Sequence, residues 1–188
     1  MGKNKDLIKA VLILCVFALI SGALLGLFHQ ITLITDKEKE QRIVKKLQDI
    51  HKSDNYEKIE FDKEKFDKEL IKNIQYFFED KTAGIYVIIA TGEKGYKDKI
   101  PMYVIIKNDE IIALKEGSMS ETPGASDFAF SNNYLNNFLK PVSELNFSKD
   151  PDITTGATYS RRSILSSIQN AVNFYIQYKK INVWIKTS

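Results

Sequence analysis

The sequence predicts an α+β protein: a single N-terminal transmembrane helix, then a domain built from an antiparallel sheet and flanking helices. Three observations predict it. Residues 10–35 carry no formal charge, and Ala10 to Phe28 is almost wholly apolar. At ~1.5 Å per residue that run can cross a hydrocarbon core of roughly 30 Å. Next, Gly84 to Ala90, Pro101 to Ile106 and Glu110 to Leu114 are rich in β-branched and aromatic residues, with turn residues between them. Finally, apolar residues recur from Ser160 onward at Ile164, Leu165, Ile168, Ala171, Val172, Tyr175 and Ile176, the spacing of a one-faced helix.

A chain of 188 residues suggests one compact domain plus extras. The formal net charge of +3 offers no basic face, which argues against a nucleic-acid partner. His29, His51 and the lone Cys15 lack metal-site spacing, and one cysteine cannot close a disulfide within the chain. Lys3, Lys5 and Lys9 precede the apolar run, so the N-terminus should stay cytoplasmic and the bulk be exported. Ser21-Gly22-Ala23 would suit a signal-peptide cleavage site. Leu24, Leu25, Leu27 and Phe28 extend the apolar run beyond it, which favours a retained anchor in the cytoplasmic (inner) membrane.

Beyond the anchor, Asp36 to Asp49 is dense in charge, with Ile43, Val44, Leu47 and Ile50 on one side, so an amphipathic helix is predicted. His51 to Thr82 mixes charges with Ile59, Phe61, Phe66, Leu70, Ile74, Phe77 and Phe78; strand then helix is predicted, with the charges solvated. The domain reading is 1–35 tip and anchor, 36–82 charged helical linker and start of the exported domain, and 83–188 its main body. Lys107-Asn108-Asp109 supplies a hairpin turn, and Glu121-Thr122-Pro123-Gly124 a second turn. Phe128 to Leu139 reads as a helix facing Phe130, Tyr134, Leu135 and Phe138 inward. Ile181 to Ile185 is predicted as a final strand or a membrane-proximal contact.

Asp152-Ile153-Thr154-Thr155-Gly156-Ala157-Thr158-Tyr159-Ser160 feeds straight into the last helix. Unpaired backbone N–H groups and the positive dipole end collect at a helix start, where a phosphate is welcome. Gly156 and Ala157 would let a large planar ligand lie close to the backbone, and Thr158 would present a hydroxyl. Ser and Thr before a helix are ordinarily only N-caps, and a threonine hydroxyl is a poor nucleophile without an adjacent base. Arg161 and Arg162 sit in the first turn, where the dipole disfavours cations. Either a phosphate compensates them or both are simply solvent-exposed.

Asp-x-x-Thr-Gly-Ala-Thr, ending at Thr158, is similar to the covalent flavinylation motif of an FMN-binding domain family. That family includes the Rnf complex G subunit and the C subunit of the sodium-pumping NADH:quinone reductase. Glu121-Thr122-Pro123-Gly124 matches a second signature of the same family, in the expected order. The resemblance covers roughly Gly84 to Tyr178 plus the anchor topology, and the short chain resembles the Rnf subunit more.

The resemblance implies FMN joined covalently through a phosphoester to Thr158 by a separate FAD-dependent flavin transferase. It implies supporting roles for Thr155, Gly156, Ala157 and Asp152, and a pocket wall at Glu121, Thr122, Pro123 and Gly124. It further implies an electron-carrying subunit of a membrane-bound, ion-translocating ferredoxin:NAD oxidoreductase, partnered by the other membrane subunits, rather than a stand-alone catalyst. Other readings remain: the same domain in another redox or regulatory system, or a flavin-free sensory or structural domain. The sequence departs from the family pattern at Met119, at Gly124-Ala125-Ser126-Asp127 and in the longer, charged Gly95 to Pro101 loop.

Overall fold

A computed structural model of the protein describes residues 3–32, 35–53, 55–95, 97–117, 132–148 and 158–187. The chain forms two compact units, Met1–Lys46 and Leu47–Ser188. In the first, helix α1 spans Lys3–Thr32. Its Val11–Phe28 segment is long and apolar enough to cross a membrane, and it is not buried within the fold. Helix α2, Asp36–Ile50, starts at a reciprocal cap. The Thr35 N–H donates to the Glu38 carboxylate at 3.0 Å, and the Glu38 N–H donates to Thr35 Oγ1 at 3.3 Å. Leu47 near its end is fully buried, and Ile43, Val44 and Ile50 are half-buried, as the amphipathic pattern predicts.

The second unit is organised on an open antiparallel sheet in the order β1-β2-β3-β4-β5. The strands are β1 Glu57–Lys58, β2 Ile74–Asp80, β3 Ile85–Ala90, β4 Met102–Lys107 and β5 Glu110–Glu116. Within residues 51–82 the short strand β1 does precede a helix, as the sequence predicts, but a second strand, β2, follows that helix and was not predicted. The helix, α3, Lys68–Ile71, is capped by the Asp67 carboxylate, and Phe77 and Phe78 lie within β2. Adjacent bulky aromatics suit a strand because they point to opposite faces. Phe77 pairs with Ile88 and Phe78 with Val87, so each joins a different apolar layer.

The β4–β5 turn is two residues long, with Asn108 at φ 52° and Asp109 at φ 61°. Positive φ at both central positions is what a tight hairpin with right-twisted strands requires, and Asn and Asp tolerate it. At the tip, the Asp109 carboxylate accepts hydrogen bonds from the Tyr175 hydroxyl at 2.8 Å and the Lys179 ammonium at 2.6 Å. Beyond the hairpin lie helix α4, Asn132–Leu135, and a 3-10 turn, Asn136–Phe138. Tyr134, Leu135 and Phe138 are buried, as expected, whereas Phe128 and Phe130 of the predicted helix lie outside the described residues.

Helix α5 runs Thr158–Thr187. It covers one sheet face: Ile164, Ile168, Ala171, Val172, Phe174 and Tyr175 share a core with Phe77, Ile88, Ala90, Met102, Val104 and Ile106. The last residues therefore extend this helix rather than form the strand proposed for Ile181 to Ile185. Neither Gly nor Pro interrupts them, so nothing in the sequence stops the helix there. The opposite sheet face is buried too, through Phe78, Val87, Ile89, Tyr103 and Ile105.

Candidate functional site

Thr158 is the first residue of α5 and is exposed, as is Tyr159. One turn further, Arg162 is exposed on the same side. Arg161 differs: it is only 3% exposed. The two arginines therefore are not equivalent, and the alternative in which both are solvent-exposed is corrected. Positions 161, 164, 168 and 171 share the buried stripe of α5, whereas 158 and 162 share the outer one. No acidic residue occupies the first turn of α5, so the positive end of this helix is not offset by its own side chains.

Behind this exposed start, the inward face of α5 is polar. Ser160, Ser163 and Ser167 are buried there beside Arg161. Ser163 Oγ accepts from the Ile100 N–H at 3.0 Å and donates to the Glu93 carbonyl at 2.7 Å. Ser166 Oγ accepts from the Glu93 N–H at 2.7 Å. The Ser167 hydroxyl lies 2.8 Å from the Ile100 carbonyl, and Asn170 Nδ2 donates to the Thr91 carbonyl at 2.8 Å. The β3–β4 connection, residues 91–101, is thus held through its backbone by a stripe of short polar side chains. Gly92 allows the approach. A Cβ there would come within 2.0 Å of Ser166 Oγ and 2.5 Å of the Ser167 backbone nitrogen.

The connection is fixed from the other side as well. The Thr91 N–H donates to the Asn73 carbonyl at 2.8 Å, and Lys99 Nζ reaches Asn73 Oδ1 at 3.0 Å. The Gly95 N–H donates to the Asp98 carbonyl at 2.8 Å, which closes the tip of the charged loop.

Of the residues to which the family resemblance gives a role toward FMN, Thr158 alone lies among the described ones. Asp152, Thr155, Gly156, Ala157, Glu121, Thr122, Pro123, Gly124 and Met119 lie outside them. The polar stripe Ser163, Ser166, Ser167 and Asn170 escaped the sequence reading. Its i, i+3, i+4, i+7 spacing was a usable signal, hidden because attention to an amphipathic helix falls on the apolar positions.

Residues 95–173 match the model of the FMN-binding domain family. The matched segment begins in the charged 95–101 loop, runs through β4, β5 and the start of α5, and contains Thr158. The match supports an FMN-binding domain in this part of the chain with FMN as its cofactor, and it suggests a flavoprotein. No curated protein and no solved structure matches the chain.

The described residues fit such a group at one point. Thr158 offers an accessible hydroxyl at the positive end of a helix, chemistry suited to a phosphate or a phosphoester.

Proposed function

We propose that this protein is the electron-carrying flavoprotein subunit of an Rnf-type membrane complex, with FMN attached through a phosphoester to Thr158. The observation that carries the attachment reading is the exposure of Thr158 at the first residue of α5, within the FMN-binding domain match. A modifying enzyme needs an accessible hydroxyl, whereas a threonine acting only as part of the fold has no need of one.

In this reading the transferase provides the base that activates the Thr158 hydroxyl. The threonine oxygen takes the flavin-bearing phosphoryl group from FAD, and AMP leaves. Bound FMN supplies one-electron chemistry, and the protein's part is to bind, orient and tune it. Thr158 is the tether in this reading, and the resemblance gives supporting roles to Thr155, Gly156, Ala157 and Asp152 and a pocket wall to Glu121, Thr122, Pro123 and Gly124. A tether suits a domain held outside the membrane by α1, because a dissociable cofactor would be lost by diffusion. The N-terminus is cytoplasmic in this reading, and the other membrane subunits of the complex are the electron partners.

Intact mass of the natively expressed chain, followed by peptide mapping, tests the attachment. A gain of one FMN less water on the Thr158 peptide, absent in Thr158→Ala, is expected. An unmodified Thr158 in a host that possesses the transferase would leave an anchored, flavin-free domain. Copurification of membrane subunits with the native protein tests the Rnf assignment, and another set of redox partners would overturn it.

A further inference from the structure

We propose that Ser163, Ser166 and Ser167 are positioning residues for Thr158: they lock the first turns of α5 onto the 91–101 connection and so fix the direction in which the Thr158 hydroxyl is presented. This rests on Thr158 being the attachment point.

The geometry is that of a helix held from behind. At ~100° per residue, Ser163 lies about 140° and Ser167 about 180° around the axis from Thr158, whereas Arg162 lies about 40° away. Ser163 and Ser167 are fully buried. Their hydroxyls meet backbone groups of Glu93 and Ile100, in a connection anchored by strands at both ends. Ser166 adds the Glu93 N–H from the flank.

Apolar packing fixes a helix on a sheet only loosely in rotation and axial position, because it is non-directional. Hydrogen bonds are directional and fix both. The division along α5 follows that logic. Ile164 packs among the serines near Thr158, and the other apolar core contacts, Ile168, Ala171, Val172, Phe174 and Tyr175, lie further along the helix. The first four N–H groups of a helix have no partner one turn earlier, so a helix start frays unless something else holds it. An acceptor oxygen that must meet a phosphorus atom in a second enzyme needs a fixed direction, since small misplacements cost rate steeply.

The test uses the full chain with the flavin transferase. Attachment at Thr158 is followed by intact mass at short times, and amide hydrogen exchange is measured over residues 158–164 of the flavin-free chain. Ser163→Ala and the milder Ser166→Ala are expected to slow attachment by about fivefold or more, the effect of one lost hydrogen bond. The drop should appear at saturating FAD, with the apparent KM for FAD unchanged. Exchange at the start of α5 should quicken in parallel. Asn173→Ala, an exposed change on the same helix outside this contact, should alter neither.

Wild-type attachment rates in folded Ser163→Ala and Ser166→Ala proteins would overturn the proposal. Should the wild-type chain take no flavin, the attachment reading fails by itself and exchange decides the lock. Quickened exchange in Ser163→Ala would then support it, and unchanged exchange would overturn it.

Discussion

Asp80 and Asp109 are carboxylates whose surroundings favour the charged form for local reasons. Asp80 is 1% exposed. The Ser53 hydroxyl donates to it, and the Ala83 N–H donates at 2.9 Å. These bonds, the Ser53 one foremost, hold its carboxyl below the usual range against the opposing effect of burial. A depressed folded value means that its contribution to stability is full above the unfolded pKa of about 4. It is lost as pH falls from there through the folded value. Asp80→Asn should therefore flatten the acid limb of a stability-against-pH curve, measured by chemical denaturation at several pH values. An unchanged acid slope would refute this.

Asp109 is depressed chiefly by its hydrogen bond to Lys179, then by that to Tyr175. Its side chain is 58% exposed, so screening limits the ionic part. Asp109→Ala loses these bonds and also strains a positive-φ site, for a cost of about 2 kcal/mol. Asp109→Gly keeps the backbone relaxed and should cost about half as much; equal losses would mean that backbone strain plays no part. Tyr175 is pushed up by burial first and by its bond to Asp109 second. Asn108-Asp109 was legible as a turn from residue type alone. The grip of α5 on its tip was not, since 66 residues separate Asp109 from Tyr175.

At the scale of elements, α5 combines two kinds of attachment. Ile164 and Ile168 are fully buried against the sheet, so Ile168→Ala should destabilise the domain by about 3 kcal/mol through transfer and cavity effects. Urea denaturation followed by far-UV circular dichroism measures this; a loss under 1 kcal/mol would mean that the site collapses around the smaller side chain. The strands β3, β4 and β5 were legible because β-branched residues cluster between clear turn signals. The strand β2 after α3 was not, because Phe66, Leu70, Ile74, Phe77 and Phe78 fit either period over so short a stretch. Phe174 was missed as well. It is fully buried and stacks on Phe66 with centroids 5.0 Å apart, a contact outside the stripe that the helical period marks.

For the whole molecule, the contrast lies between two environments. In α1 the large side chains from Val11 to Phe28 are exposed, so the full chain should need detergent to leave the membrane fraction. A chain beginning at Asp36 should appear in the aqueous fraction on ultracentrifugation, because the sheet and its core lie wholly within Leu47–Ser188. Persistence of the shortened chain in the membrane pellet would point to a second membrane contact.

The sequence by itself determined the apolar N-terminal segment, the amphipathic α2, three of the five strands and, within two residues, the start of α5. Each is written in a local period or in a short motif, and local patterns depend only on neighbours along the chain. Tertiary structure alone decided which arginine is buried, how Asp109 is gripped and what holds α5 behind Thr158. Ser163 meets Glu93 and Ile100 across 70 and 63 residues. No period in a sequence encodes a bond over that distance, because it exists only once the sheet has brought the two segments together.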